Sequence, residues 1–300
     1  AGDELWTAPI PEEAWMYQRA FGGDFDGDGR NDYVGSEGEQ AEGETVAAFD
    51  VFYGGTWGET QVRTLTSGSE SARILDMLED LDGDGMNDLH ASYAVMTVGP
   101  YHGFYSGANL AAADGVDVSD LEIATLVPET DDPRGDANHL GDVHLTSAGD
   151  WTGDGTPDLL LNLRAWGGVG YQSGEIFVFD GTTRGEFYIT DAVGSWIGND
   201  TSGSGSLDTY HQLLDADGDG QDELLVGEDS TDTWYLVPHE LPAPHAPLHG
   251  LTFTGSVYPH PGIHDIDGDG FEDVAHFDRD YLTGSVWLGW PVPFDDPDAW

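Results

Sequence analysis

A nine-residue acidic stretch recurs five times along the chain, beginning at Asp24, Asp80, Asp150, Asp215 and Asp265. The copies read DFDGDGRND, DLDGDGMND, DWTGDGTPD, DADGDGQDE and DIDGDGFED, so an oxygen-bearing side chain stands at positions 1, 3, 5 and 9 of each. Glycine holds positions 4 and 6 in every copy. Carboxylates spaced two apart converge on one point only if the chain curls, and glycine supplies the curl because it enters positive φ at almost no cost. We expect that conformation at position 6, which is Gly29, Gly85, Gly155, Gly220 and Gly270.

The pattern is the one a hard cation needs. Calcium takes six to eight oxygen ligands at about 2.3 to 2.6 Å, whereas magnesium demands near-octahedral geometry and keeps several waters. Position 7 is then expected to offer its backbone carbonyl, since the side chains there have nothing in common. The candidate ligands of loop one are therefore Asp24, Asp26, Asp28, Arg30 and Asp32, and those of loop two are Asp80, Asp82, Asp84, Met86 and Asp88. Loop three offers Asp150, Thr152, Asp154, Thr156 and Asp158. Loop four offers Asp215, Asp217, Asp219, Gln221 and Glu223, and loop five Asp265, Asp267, Asp269, Phe271 and Asp273. About five structural calcium ions are expected. Loop three, with Thr152 where the others carry Asp, is expected to bind most weakly. In loop four Asp222 competes with Glu223, and the register favours Glu223.

An EF-hand would need a bidentate Glu at position 12 and flanking helices. Position 12 is instead Gly35, Ala91, Leu161, Val226 and His276. Each loop runs into a short apolar segment, DYVGS, DLHAS, DLLLN, ELLVG or DVAHF, which reads as a strand. Position 9 is thus both ligand and strand start.

Successive loops begin 56, 70, 65 and 50 residues apart, a period that accommodates one four-stranded sheet with its turns. The expected fold is all-β, a five-bladed β-propeller of four-stranded antiparallel blades with a calcium loop in each blade. Expected blades span roughly 12–68, 69–130, 139–195, 207–256 and 257–300, with residues 1–11 closing the ring. The first blade's strands are expected at Trp15 to Phe21, Tyr33 to Gly35, Val46 to Tyr53 and Gln61 to Leu65. The third blade's are expected at Val143 to Ser147, Leu159 to Leu163, Glu175 to Phe179 and Phe187 to Thr190. The last strand is read at Ser285 to Trp290.

With these residues in view, the repeats resemble the FG-GAP repeats of the integrin alpha-subunit propeller and of bacterial VCBS-type surface proteins. The matching residues are the five loops, Phe21-Gly22 before the first, and Val34-Gly35 and Val226-Gly227 after loops one and four. The resemblance implies structural calcium within blades and an extracellular, secreted or cell-surface setting. Five blades are fewer than the seven typical of integrins, no ligand-binding domain is inserted, and the Gly-Ala-Pro half of the motif is degenerate. Integrin-like ligand recognition is therefore not carried over.

Composition points the same way. There is no cysteine, so metal loops are the natural staple for short blades. No apolar run approaches the roughly 18 residues of a membrane span, and the chain begins at Ala1, which we read as a processed secretory precursor. Fifty-eight acidic residues face eight arginines and no lysine, for a net charge of −50. Loop positions 1, 3, 5 and 9 account for 19 of those carboxylates, so most of the charge lies elsewhere. Such a surface makes nucleic acid and anionic membranes poor partners and fits a saline habitat, where salt screens the repulsion.

Other constellations are weaker. His245 and His249 have i, i+4 spacing, but Pro242, Pro244 and Pro247 argue against a helix, so a surface loop is the reading there. The ten tryptophans and twelve tyrosines are read chiefly as contacts between sheets. No G-x-S-x-G elbow, phosphate loop or HExxH is present. The leading expectation is a non-enzymatic structural or adhesive surface protein, forming homo-oligomers or meeting other surface proteins or glycans. The alternative is a lectin or polysaccharide lyase-like enzyme on a calcium-binding propeller.

Overall fold

The computed structural model describes residues 21–38, 47–53, 62–66, 72–95, 99–112, 121–127, 143–147, 149–163, 174–198, 207–228, 233–244, 246–247, 249–254, 262–271, 273–278 and 283–287. Over these residues the chain is mostly strand with almost no helix, and the strands gather into five small sheets in sequence order. Sheet one contains β1 (Phe21–Gly23), β2 (Asp32–Gly38), β3 (Ala47–Phe52) and β4 (Val62–Thr66), in that order. Sheet two comes next, with β5 (Ala72–Leu78), β6 (Asp88–Val95), β7 (Gly99–Tyr105) and β8 (Glu122–Leu126). A short helix, α1 (Gly107–Ala112), separates β7 from β8. Sheet three is β9 (Val143–Ser147), β10 (Leu159–Leu163), β11 (Glu175–Phe179) and, past β12 (Gly185–Phe187), β13 (Gly194–Ile197). Sheet four is β14 (Leu207–Leu214), β15 (Glu223–Glu228), β16 (Thr233–Val237) and, past β17 (Ala246–Pro247), β18 (Leu251–Thr254). Sheet five has three described strands, β19 (Gly262–His264), β20 (Asp273–Asp278) and β21 (Thr283–Trp287).

Every acidic loop joins the first two strands of its sheet, and the last loop residue starts the second strand in four of them, while Asp158 immediately precedes β10. Asp32 is in register with Gly23, Glu223 with Leu214 and Asp273 with His264. The remaining neighbours within each meander are antiparallel, as short turns require.

Strands β10, β11, β13 and β15 are buried along their whole length because both faces are covered. Leu159, Leu161 and Leu163 on β10 pack with Leu78, Phe104 and Leu126 of sheet two. The alternate residue Leu160 packs with Trp151, Trp196, Leu224 and Val226 toward sheet four. Period-two geometry thus sends odd residues to one neighbour and even residues to the other. On the far side of sheet four, Leu225, Trp234 and Leu236 meet Val274 of sheet five. Sheets two to five therefore stack in chain order, and the aromatic residues in these clusters are core contacts.

One expectation needs correction. Phe187 to Thr190 is not the fourth strand of the third unit. β12 instead pairs in parallel with β8 of sheet two, Ile189–Asp191 forms a 3-10 turn, and β13 takes the fourth place. In the same way β17 adds in parallel to β13. A connection in one sheet therefore covers the open edge of the sheet before it, which blunts an otherwise sticky edge. The glycine expectation holds at position 6 of every loop and extends to position 4, as at Gly85 (88°) and Gly83 (79°). Expected strand residues 15–20, and the ring closure assigned to residues 1–11, lie outside the described residues.

Candidate metal centres

Related hydrogen bonds lace each acidic loop. The carboxylate at position 1 accepts main-chain amides from positions 4 to 6 in loops two, three and five, from positions 5 and 6 in loop one, and from position 6 in loop four. Asp80, for example, receives N–H groups from Gly83 at 2.7 Å, Asp84 at 2.9 Å and Gly85 at 2.7 Å. Asp150 and Asp265 repeat this set. Position 3 accepts from the amide of position 5 at 3.1 Å in loops one, two, four and five. Position 5 accepts from the amide of position 7 at 2.8 to 3.0 Å in all five. The side chains thus bend the chain into a cup, and the glycines permit the bend.

Position 9 seals the cup from below. Asp32, Asp88, Asp158, Glu223 and Asp273 are all buried. Each accepts the amide of position 2, from Phe25 (2.8 Å), Leu81 (2.8 Å), Thr152 (2.7 Å, from position 3 in loop three), Ala216 (2.9 Å) and Ile266 (2.7 Å). Glu223 and not Asp222 fills this role in loop four.

Four sets of carboxylate oxygens converge to within 4.8 Å and could each hold a metal ion: Asp24, Asp26 and Asp32; Asp80, Asp82 and Asp88; Asp215, Asp217 and Glu223; and Asp265, Asp267 and Asp269. Positions 1 and 3 belong to all four sets, joined by position 9 in three and by position 5 in the fifth loop. Asp28, Asp84, Asp219 and Asp273 stay outside the sets; Asp84 accepts instead from Ser106 Oγ at 2.9 Å and the Ala108 amide at 3.2 Å. Among the described residues loop three forms no such set, because Thr152 replaces a carboxylate.

Crowding and burial shift these acids. Burial, reinforced by Asp82 and Asp84 and opposed by the amides of Gly107 and Leu81, raises Asp88 to about 7. Burial likewise raises Glu223 to about 8, opposed by the Ala216 amide and helped by Asp217, Asp219 and Asp215. Asp158 moves up for the same leading reason. Asp150 is held low: its desolvation is outweighed by the amides of Gly155, Asp154 and Gly153 and by the nearby His239. Buried carboxylates that resist ionising alone are stabilised as anions by a cation in the cup.

Several supporting residues do not announce themselves in the loop motif. The amides of Gly107 and Gly181 donate to the second oxygen of Asp88 (3.0 Å) and Asp158 (2.9 Å). A Cβ at Gly181 would fall on the carbonyl oxygen of Pro157, so only glycine fits. The available signal was a glycine two residues after the aromatic that ends the third strand, at Tyr105/Gly107, Phe179/Gly181 and Trp287/Gly289. The same segments reach back to the preceding sheet. Arg184 Nη2 donates to Leu81 O at 2.8 Å. The ring of His239 spans Asp222 O (3.0 Å) and Asp150 O (2.9 Å).

The other histidine pattern is no metal site within the described residues. Ala246–Pro247 is a strand rather than a helix, and the exposed His249 pairs with Glu240 at 2.7 Å. His245 lies outside the described residues. No described helix is long and apolar enough to cross a membrane. The sequence matches no known protein-family model and shows no significant similarity to a curated protein.

Proposed function

We propose that this chain is a calcium-stabilised five-bladed propeller of the FG-GAP or VCBS kind, serving as an extracellular structural or adhesive surface protein. The observation that carries the reading is the recurrence of one cup, with related hydrogen-bond lacing, between the first two strands of all five sheets. The donor set fits calcium: hard carboxylate oxygens, a curled backbone, and a main-chain carbonyl at position 7. The loop side chains are almost all carboxylates that brace their own backbone, so the cations are assigned to holding the sheets and not to chemistry. Four or five divalent ions also offset part of a net charge of −50 that opposes compaction.

An asymmetry at loop position 2 marks the uncovered end of the series of sheets. Phe25, Leu81, Trp151 and Ala216 are buried, each on a loop followed in the chain by another sheet, whereas Ile266 of the last loop is 49% exposed. In the propeller reading, the face beside Ile266 is where the first sheet or a second copy completes the contact.

The test is metal counting combined with thermal unfolding. Four to five calcium ions per chain are expected, with a large drop in melting temperature on chelation; a site held at 100 times its Kd contributes about 2.7 kcal/mol. A chain that is fully stable with no bound metal would sink the structural-calcium reading. Sedimentation with and without calcium tests self-association.

A further inference from the structure

Loops one and two are tied to each other by a single residue. Asn87, at position 8 of loop two, donates its amide to Asp24 O at 2.9 Å. Its side-chain Oδ1 accepts the amide of Asp24, also at 2.9 Å. Its Nδ2 donates to Leu78 O at 3.1 Å, which pins the side chain to the end of β5. Beside it, the Met86 side chain lies against Gly27 of loop one, where an added Cβ would meet Met86 Cε at 3.2 Å. Both main-chain groups of Asp24 are thus held by loop two, while its carboxylate accepts the amides of Asp28 (3.0 Å) and Gly29 (2.7 Å) in loop one.

We propose that the Asn87–Asp24 clamp couples cation binding at the first two loops, so that filling loop two raises the affinity of loop one. This rests on the calcium reading of the loops. A cation in loop two draws Asp80, Asp82 and Asp88 together and fixes the chain through Asn87, which sits between the position 7 carbonyl and Asp88. Asp24 then meets a fixed partner and its carboxylate is presented at lower ordering cost. Linkage requires the effect to be reciprocal. Charge alone predicts the opposite sign, because a filled loop two repels a second cation. Asn87 is a positioning residue here, since it acts through Asp24 and supplies no side-chain ligand.

Hydrogen-exchange mass spectrometry during titration of the full chain with calcium chloride reads each loop by its own peptide. Asp82→Asn, which removes one loop-two carboxylate and keeps its shape, is expected to move the midpoint of loop-one protection to about fivefold higher calcium. Asp26→Asn in loop one is expected to move the loop-two midpoint to higher calcium as well. In an Asn87→Ala background the Asp82→Asn shift of loop one is expected to vanish. A loop-one midpoint that Asp82→Asn leaves in place or moves to lower calcium overturns the coupling while leaving the calcium reading intact, and so does a loop-two midpoint that Asp26→Asn leaves in place. Absence of calcium-dependent protection in every loop peptide overturns the calcium reading itself.

Discussion

The imidazole of His239 lies on the indole of Trp151, with ring centroids 4.4 Å apart and planes at 22°. Trp151 is position 2 of loop three, and His239 lies just beyond the third strand of sheet four, so the stack joins two sheets at a candidate metal loop. The same ring meets carbonyl oxygens of loops three and four. His239→Ala is therefore expected to cost about 2 kcal/mol, from one ring N–H donated to a carbonyl oxygen and one aromatic contact. Urea unfolding measures this, with His249→Ala as the control: its exposed pairing with Glu240 predicts a change under about 1 kcal/mol.

Gly181 tests the floor of loop three. Its amide holds Asp158, and a side chain there would collide with the Pro157 carbonyl, a backbone atom that cannot swing away. Gly181→Ala is expected to destabilise by about 3 kcal/mol or more, whereas Glu186→Ala, at an exposed site nearby, should stay within about 0.5 kcal/mol. Equal midpoints for the two variants in denaturant would contradict this packing.

Loop three should improve when its missing carboxylate is restored. Thr152→Asp is expected to tighten calcium binding there about tenfold, equivalent to about 1.4 kcal/mol. Calorimetric titration should show one added or strengthened site. An unchanged isotherm would mean that position 3 contributes nothing to the cup.

The pH dependence of stability should invert with metal. In the metal-free protein Asp88 and Glu223 are raised to about 7 and about 8, from ordinary values near 3.8 and 4.5. Between pH 4 and 8, roughly, the folded state binds protons that the unfolded chain has released, so metal-free stability falls as pH rises through that window. Calcium favours the ionised forms, so its affinity rises over the same range and binding near pH 7 expels protons. Melting curves at pH 5 and 8 without metal, and calorimetry in buffers of different ionisation enthalpy, check both signs.

Legibility in the sequence divides along physical lines. The cups were readable because their geometry is local: each carboxylate bonds an amide two to seven residues away, so spacing alone implied convergence of the acids and a strand at or just after position 9. Glu223 over Asp222 came from the same register. The fourth strand of the third unit was misread because Phe187 is apolar and lies a short turn beyond β11. Its pairing with β8 rather than β11 depends on which edge is exposed nearby, and nothing in the local pattern encodes that.

The sequence by itself therefore determined the loops, their number, the strands that leave them and the shortage of positive charge, all properties of contacts between near neighbours along the chain. Only the tertiary structure decided how the units are joined: Asn87 onto Asp24, Arg184 onto Leu81 and His239 onto Asp150, across 63, 103 and 89 residues. Those contacts depend on how two covered sheet faces stack, a long-range arrangement in which any polar side chain of suitable reach serves. The residues at the junctions differ from one pair of sheets to the next, and so they leave no repeated signature to read.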